Sequence, residues 1–192
     1  MVGQDGYAKQ KNMNSLILEG LLTLNGTKIT LSIDGVAGSG KTTLAGECEK
    51  VLEDRGFSVI TIHMDDLYSG WSNALTPALS QKLLSVVDGF KRGEITIASY
   101  NWLEGDFDKP KSFKSPDILI LEGVGSGQTS IRDDVAMSIW IEMDAEIAVG
   151  RVIARDGEGV RQYMNQWLLD QEAHFRAEGT RGAADYCIDG AP

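Results

Sequence analysis

The chain has 192 residues, a formal net charge of −10, and 42% apolar against 24% charged residues. This is the balance of a globular protein of about one domain, and its negative surface argues against nucleic-acid binding. Cys48 and Cys187, far apart in sequence, do not read as a disulfide framework, which fits a reducing, cytoplasmic compartment.

Residues 1–12 are polar and are expected to be a flexible lead-in. Residues 13–24 read as an amphipathic helix, closed by Asn25-Gly26. Its apolar run after Lys9 and Lys11 imitates a targeting signal, but Glu19 interrupts it and no small-residue cleavage site follows. No stretch is long enough to span a bilayer.

Lys28 to Asp34 (KITLSID) is β-branched and bounded by glycine, so it reads as a buried strand. Thr42 to Arg55 places Leu44, Ala45, Cys48, Val51 and Leu52 at helical spacing, with Gly56 as its cap. Phe57 to His63 is a second strand. Thr76-Pro77 opens a helix that continues through Leu79, Leu83, Val86, Val87 and Phe90. Glu94 to Tyr100 reads as a short strand or extended loop, and residues 101–116 as a surface excursion.

Asp117 to Glu122 (DILILE) and Val135 to Met143 are nearly continuous apolar strands, as a parallel sheet covered on both faces demands. Asp144 caps a helix running to about Arg155. Gly157 and Gly159 break it, and a further helix carries Val160, Tyr163, Met164, Trp167, Leu168 and Phe175. Asp185 to Asp189 is a last short strand. The alternation predicts an α/β, three-layer fold: a doubly wound parallel sheet with helices on both faces. Residues 13–192 are read as one domain with a small lid around 155–163.

Gly35-Val36-Ala37-Gly38-Ser39-Gly40-Lys41-Thr42 satisfies G-x-x-x-x-G-K-[ST] in full, between a predicted strand and a predicted helix. Glycines let such a loop wrap phosphate, and its amides form an anion nest at the positive end of the helix. Residues 35–43, through Thr43, are therefore the expected nucleotide site. Lys41 reaches the β- and γ-phosphates and the Thr42 hydroxyl takes a place on Mg²⁺.

Asp65 and Asp66 follow the second strand, where open α/β sheets bind ligands. Asp65 is the candidate base for a substrate hydroxyl and a holder of the Mg²⁺ water shell. A solvated turn or helix cap is the bland alternative. Glu122, ending DILILE, fits a second carboxylate near the metal, or a strand-end charge facing water. Arg151 and Arg155 share one helix face, and Arg161 lies just beyond the break. They would neutralise a transferring phosphoryl group, or simply solvate a helix end. Tyr68, Trp71, Tyr100 and Trp102 would stack on a planar ring or pack within the core.

The segments IDGVAGSGKTTLA, MDDLY, ILEGVGSG, RVIARDGEG and AADYCIDG together resemble the uridine kinase-like family of P-loop kinases, over about Ile33 to Gly190. The resemblance implies Asp65 as catalytic base, with Leu67 in place of an aromatic and Tyr68 retained. It implies Glu122 near Mg²⁺, and Arg151, Arg155 and Asp156 as the R-x-x-x-R-D pattern of the lid helix. Ala184 and Asp185 match the late A-D segment. Tyr100-Asn101-Trp102 stands where the uridine kinases proper have a Tyr-Asp pair, and Gly157-Glu158-Gly159-Val160-Arg161 is a reduced lid.

The expected function is ATP- and Mg²⁺-dependent phosphorylation of a small-molecule hydroxyl. A uridine- or cytidine-like nucleoside leads as acceptor, bound by Asp65, Tyr68, Tyr100, Trp102 and Arg161. A nucleoside monophosphate kinase, another small-metabolite kinase, and a non-enzymatic nucleotide-binding regulatory module are the alternatives. No nucleic-acid or membrane partner is expected, and a homodimer is compatible with the sequence.

Overall fold

The computed structural model describes residues 19–20 and 28–190. The expected flexible lead-in lies outside the described residues. So does the expected helix over 13–24, except that Glu19 and Gly20 are helical. The described chain runs β1 (Ile29–Gly35), α1 (Lys41–Glu53), β2 (Val59–His63), α2 (Met64–Leu67), α3 (Pro77–Arg92) and β3 (Glu94–Ile97). It continues as β4 (Tyr100–Asn101), β5 (Asp106–Phe107), β6 (Lys111–Lys114), β7 (Ile118–Glu122) and β8 (Met137–Glu142). It closes with α4 (Ala145–Asp156), α5 (Arg161–Glu178), α6 (Thr180–Ala183) and β9 (Tyr186–Asp189).

Five strands form one parallel sheet in the order β2-β7-β1-β8-β9. Every residue of β1 and of β7 is buried. Because side chains alternate across a strand, consecutive residues serve opposite faces. Ile118 and Ile120 join Leu31, Ile33, Leu44, Cys48 and Leu52 in the core under α1. Leu119 and Leu121 join Leu83, Phe90, Val152, Met164 and Trp167 in the core under α3, α4 and α5. The unbroken apolar run Ile118 to Leu121 of β7 is thus the signature of a strand covered on both faces in a three-layer α/β architecture.

Thr76 stands at the N-cap of α3 with Pro77 in its first turn, and Gly93, left-handed at φ 104°, closes it. The excursion over 101–116 is more ordered than expected. β4 pairs antiparallel with β5, and β3 with β6, in two small hairpins beside α3. Ile95, fully buried, and Phe113 pin the second of these to the α3 core. The first is closed at its turn by Asn101, whose side-chain oxygen accepts from the amides of Leu103 and Glu104. β3 falls within the expected short strand or extended loop over 94–100, whereas β4 and β5, of two residues each, carry no period-2 pattern and do not stand out in the sequence. Among the described residues no helix is long and apolar enough to cross a membrane.

Candidate active site

The loop after β1 takes its shape from glycines. Gly40 is left-handed (φ 99°) where α1 begins. At Gly38 (φ 85°) a Cβ would lie 2.3 Å from the backbone oxygen of Ala148, so α4 packs against the loop at a distance only glycine permits. Lys41 is buried and donates from Nζ to the carbonyls of Gly35 (3.0 Å) and Val36 (2.8 Å), spanning the loop's own mouth. Burial pushes its ammonium below the usual lysine range, while Asp34, Glu122 and Asp65 pull it back up.

Asp34, which no motif in the sequence singles out, is completely enclosed at the end of β1. Its carboxylate accepts from the amides of Gly35 (2.7 Å), Gly125 (3.1 Å) and Gly127 (2.9 Å). Burial raises its pKa, and these amides together with Lys41 hold it down. Asp34 therefore ties the phosphate loop to the loop after β7. A charged residue at the end of a buried strand, directly before the glycine loop, is the signal that points to it.

Glu122 is buried and its Oε1 accepts from the Thr42 hydroxyl at 3.1 Å. His63 Nδ1 bonds the same oxygen, and this hydrogen bond raises the imidazole's pKa above its ordinary value. From sequence His63 belongs to the strand alone. Parallel pairing of β2 with β7 sets His63 directly opposite Glu122, a register that strand ends read separately do not reveal. Asp65 follows in the first turn of α2. Its side chain remains open to solvent within a cleft. Dehydration by surrounding protein and then the charge of Glu122 raise its pKa, against the pull of Lys41, Arg155 and His63.

Two clefts meet at α4. The first, about 450 Å³, is bounded by Gly38, Gly40, Lys41, Thr42 and Thr43 on one side and by Arg151, Val152 and Arg155 on the other. The second, about 530 Å³, has Asp65, Tyr68, Trp71 and Trp102 on one wall and Met164 and Trp167 on the other. Val152 and Arg155 line both. Arg155 makes a bidentate pair with Asp156, both contacts at 2.7 Å, which raises its pKa and fixes its guanidinium plane.

The expected aromatic site separates into distinct roles. Tyr68 is buried and spends its hydroxyl on the Val124 carbonyl at 2.8 Å, so it lines the cleft with its ring while its polar group is engaged elsewhere. Trp102, half exposed, donates from Nε1 to the Asp65 carbonyl at 3.2 Å. Tyr100 stands behind Trp102, edge-to-face with it and with Phe107. Arg161 points elsewhere. It forms an ion pair with Glu158 and borders a groove with Glu146, Val149 and Leu168. Trp71 stacks on Tyr163 at 5.2 Å and meets Trp102 and Trp167 edge-on. In the sequence Tyr163, Met164 and Trp167 show only a helical stripe. The stripe is real, and the crossover brings it to the cleft.

A glycine-formed anion cradle on a parallel sheet, with lysine, hydroxyl and carboxylates at the strand ends, defines a P-loop phosphotransferase of the kinase type. No family model matches the chain. A uridine kinase of Staphylococcus aureus (strain JH9) is 26% identical over 157 residues, covering 72% of this chain and 75% of that protein. A possible uridine kinase from Bacillus stearothermophilus superposes with a TM-score of 0.72 at 17% identity, over 94% of this chain and 100% of its own. A D-glycerate 3-kinase from Cryptococcus neoformans var. grubii superposes with a TM-score of 0.55 at 12% identity, over 90% of this chain and 88% of its own. In sequence and in fold the chain is thus similar to uridine kinase-like P-loop kinases.

Proposed function

We propose that this chain transfers the γ-phosphoryl group of Mg·ATP to a hydroxyl of a small neutral molecule, with a uridine- or cytidine-like nucleoside as the leading acceptor. The observation that carries this reading is the junction of the two clefts at Val152 and Arg155, with Asp65 on the acceptor side and Lys41 on the phosphate side.

The residues fit Mg·ATP. The glycine loop and the start of α1 supply amides and a positive helix end for phosphates. The Thr42 hydroxyl and Glu122 carboxylate are the hard oxygen donors that Mg²⁺ takes alongside water and substrate phosphates. When bound, Mg·ATP supplies the transferable phosphoryl group and the metal charge that neutralises its oxygens. Asp65 accepts the proton of the acceptor hydroxyl, whose oxygen bonds the γ-phosphorus as the bond to the departing ADP breaks. Lys41, Arg151 and Arg155 offset the charge on the transferring group. The transition state of such transfers is loose, so placement and charge account for most of the rate.

The acceptor side is rich in aromatic rings and poor in cations. Among its lining residues Arg155 is the one cation, and it is already paired with Asp156. This favours a neutral, planar acceptor over a carboxylate or a monophosphate, which would call for a free guanidinium.

The test is ADP release from Mg·ATP against uridine, cytidine, neutral sugars, D-glycerate and nucleoside monophosphates. Stimulation by uridine or cytidine is expected. Stimulation by D-glycerate or a monophosphate alone would reassign the acceptor. Turnover indifferent to every acceptor would favour a nucleotide-dependent regulatory module.

A further inference from the structure

One buried polar side chain on α5 takes no part in this chemistry. Gln171 is 3% exposed, and its Oε1 accepts the backbone N–H of Ala37 at 3.2 Å, across 134 positions of sequence. Ala37 is the third residue of the phosphate loop. It also lines the acceptor cleft and packs on the core formed by Met164 and Trp167. Met164, Trp167 and Gln171 are the buried residues of α5, spaced three and four apart, so they form one face. The same face of one helix therefore walls the acceptor cleft at one end and holds a phosphate-loop amide at the other.

An anion nest works only when its amides already point inward. Two hydrogen bonds from Lys41 anchor the loop at Gly35 and Val36, and Ser39 donates its amide to the Val36 carbonyl at 3.1 Å. Gln171 is the contact from outside the loop that fixes the amide between them. With its oxygen gone, the Ala37 N–H would have no acceptor, and the loop would gain conformations that point amides elsewhere. Apparent nucleotide affinity falls in proportion to the fraction of molecules that retain the competent loop.

We infer that Gln171 is a positioning residue that sets the shape of the phosphate loop and makes that shape depend on the seat of the acceptor-cleft helix. The inference rests on the reading of residues 35–43 as a nucleotide site.

The experiment compares the full chain with Gln171→Met, which keeps length and loses the oxygen. Binding of ADP with Mg²⁺ is followed by calorimetry, and exchange of backbone amides is followed by mass spectrometry. The expected result is a five- to tenfold rise in the ADP Kd. The Ala37 amide should exchange at least tenfold faster, while the amides of α5 hold their rates. A Kd within twofold of the unaltered protein overturns the inference, as does equal acceleration of α5 and Ala37, which would mean general loosening. Should Gln171→Met fail to fold, exchange in the unaltered protein decides. An Ala37 amide slowed in step with α5 supports the bond, and one exchanging like an open loop amide overturns it. Absence of any ADP binding by the unaltered protein would instead sink the nucleotide reading, while the Ala37 exchange rate would still report on the bond.

Discussion

Asp65 and Lys41 line the two clefts that meet at Val152 and Arg155, and their charges pull on each other's protonation in opposite senses. Separating their duties is therefore a matter of changing one at a time. Asp65→Asn keeps the shape and removes the proton acceptor. A positioned base of this kind contributes about 10²–10⁴ in rate. Asp65→Asn should lower kcat by at least about a hundredfold with the accepted substrate, while the Kd for Mg·ADP changes little. Lys41→Ala should abolish both tight nucleotide binding and transfer. Full turnover in Asp65→Asn would remove it from the role of base. At this scale the phosphate loop and both carboxylates were legible in the sequence, because their residue types stand at fixed offsets from strand ends. Asp34, His63 and Gln171 were not. Each acquires its part through a partner 59 to 134 positions away, and no local pattern records such a pairing.

Helix α4 links the two clefts, and its own start is well formed. Asp144 stands at the N-cap and accepts the amides of Glu146 (2.9 Å) and Ile147 (3.1 Å). Loss of such a cap costs about 1 kcal/mol. Asp144→Ala should lower the urea midpoint correspondingly, and Tm by roughly 2–4 °C for a chain of this size. An unchanged midpoint would show that the cap carries no stability here. The contact of α4 with the phosphate loop is less forgiving. In Gly38→Ala the new methyl would meet the Ala148 carbonyl oxygen at 2.3 Å in a backbone conformation that alanine resists. Either the loop or α4 must move, so ADP affinity should fall by more than tenfold, measured by calorimetry. Wild-type affinity in that variant would contradict the described packing. Cap, Pro77 and Gly93 were readable as element boundaries because capping chemistry is local. A short strand over 94–100 was one of two readings there, but its pairing with β6 and the β4–β5 hairpin were not readable, since two-residue strands have no period and the order comes from α3 and from Phe107 beneath Lys82.

Across the whole molecule, the two cysteines report on which surface is sealed. Cys48 is buried in the core under α1, where loss of water pushes its thiol up to about 12. Cys187 is exposed on the edge strand β9. The thiolate is the reactive form, so a thiol reagent at neutral pH should modify one group quickly and the second only after denaturation. Two fast-reacting thiols would mean that α1 does not cover the sheet as described. The same burial explains why the α/β class was evident from the primary sequence. Strands covered on both faces are apolar on both, as Ile118 to Leu121 are, and helices beside them show one apolar stripe. A glycine-rich loop between the two has few other uses. Strand order, the opposition of His63 to Glu122, the face of α5 that meets the acceptor cleft and the turning of Arg161 toward Glu158 belong to the tertiary structure alone. Composition and spacing set which residues are apolar, charged or conformationally free, and these are properties of short windows. Which windows become neighbours follows from how the crossovers return the chain to the sheet, and that is decided only when both cores close together.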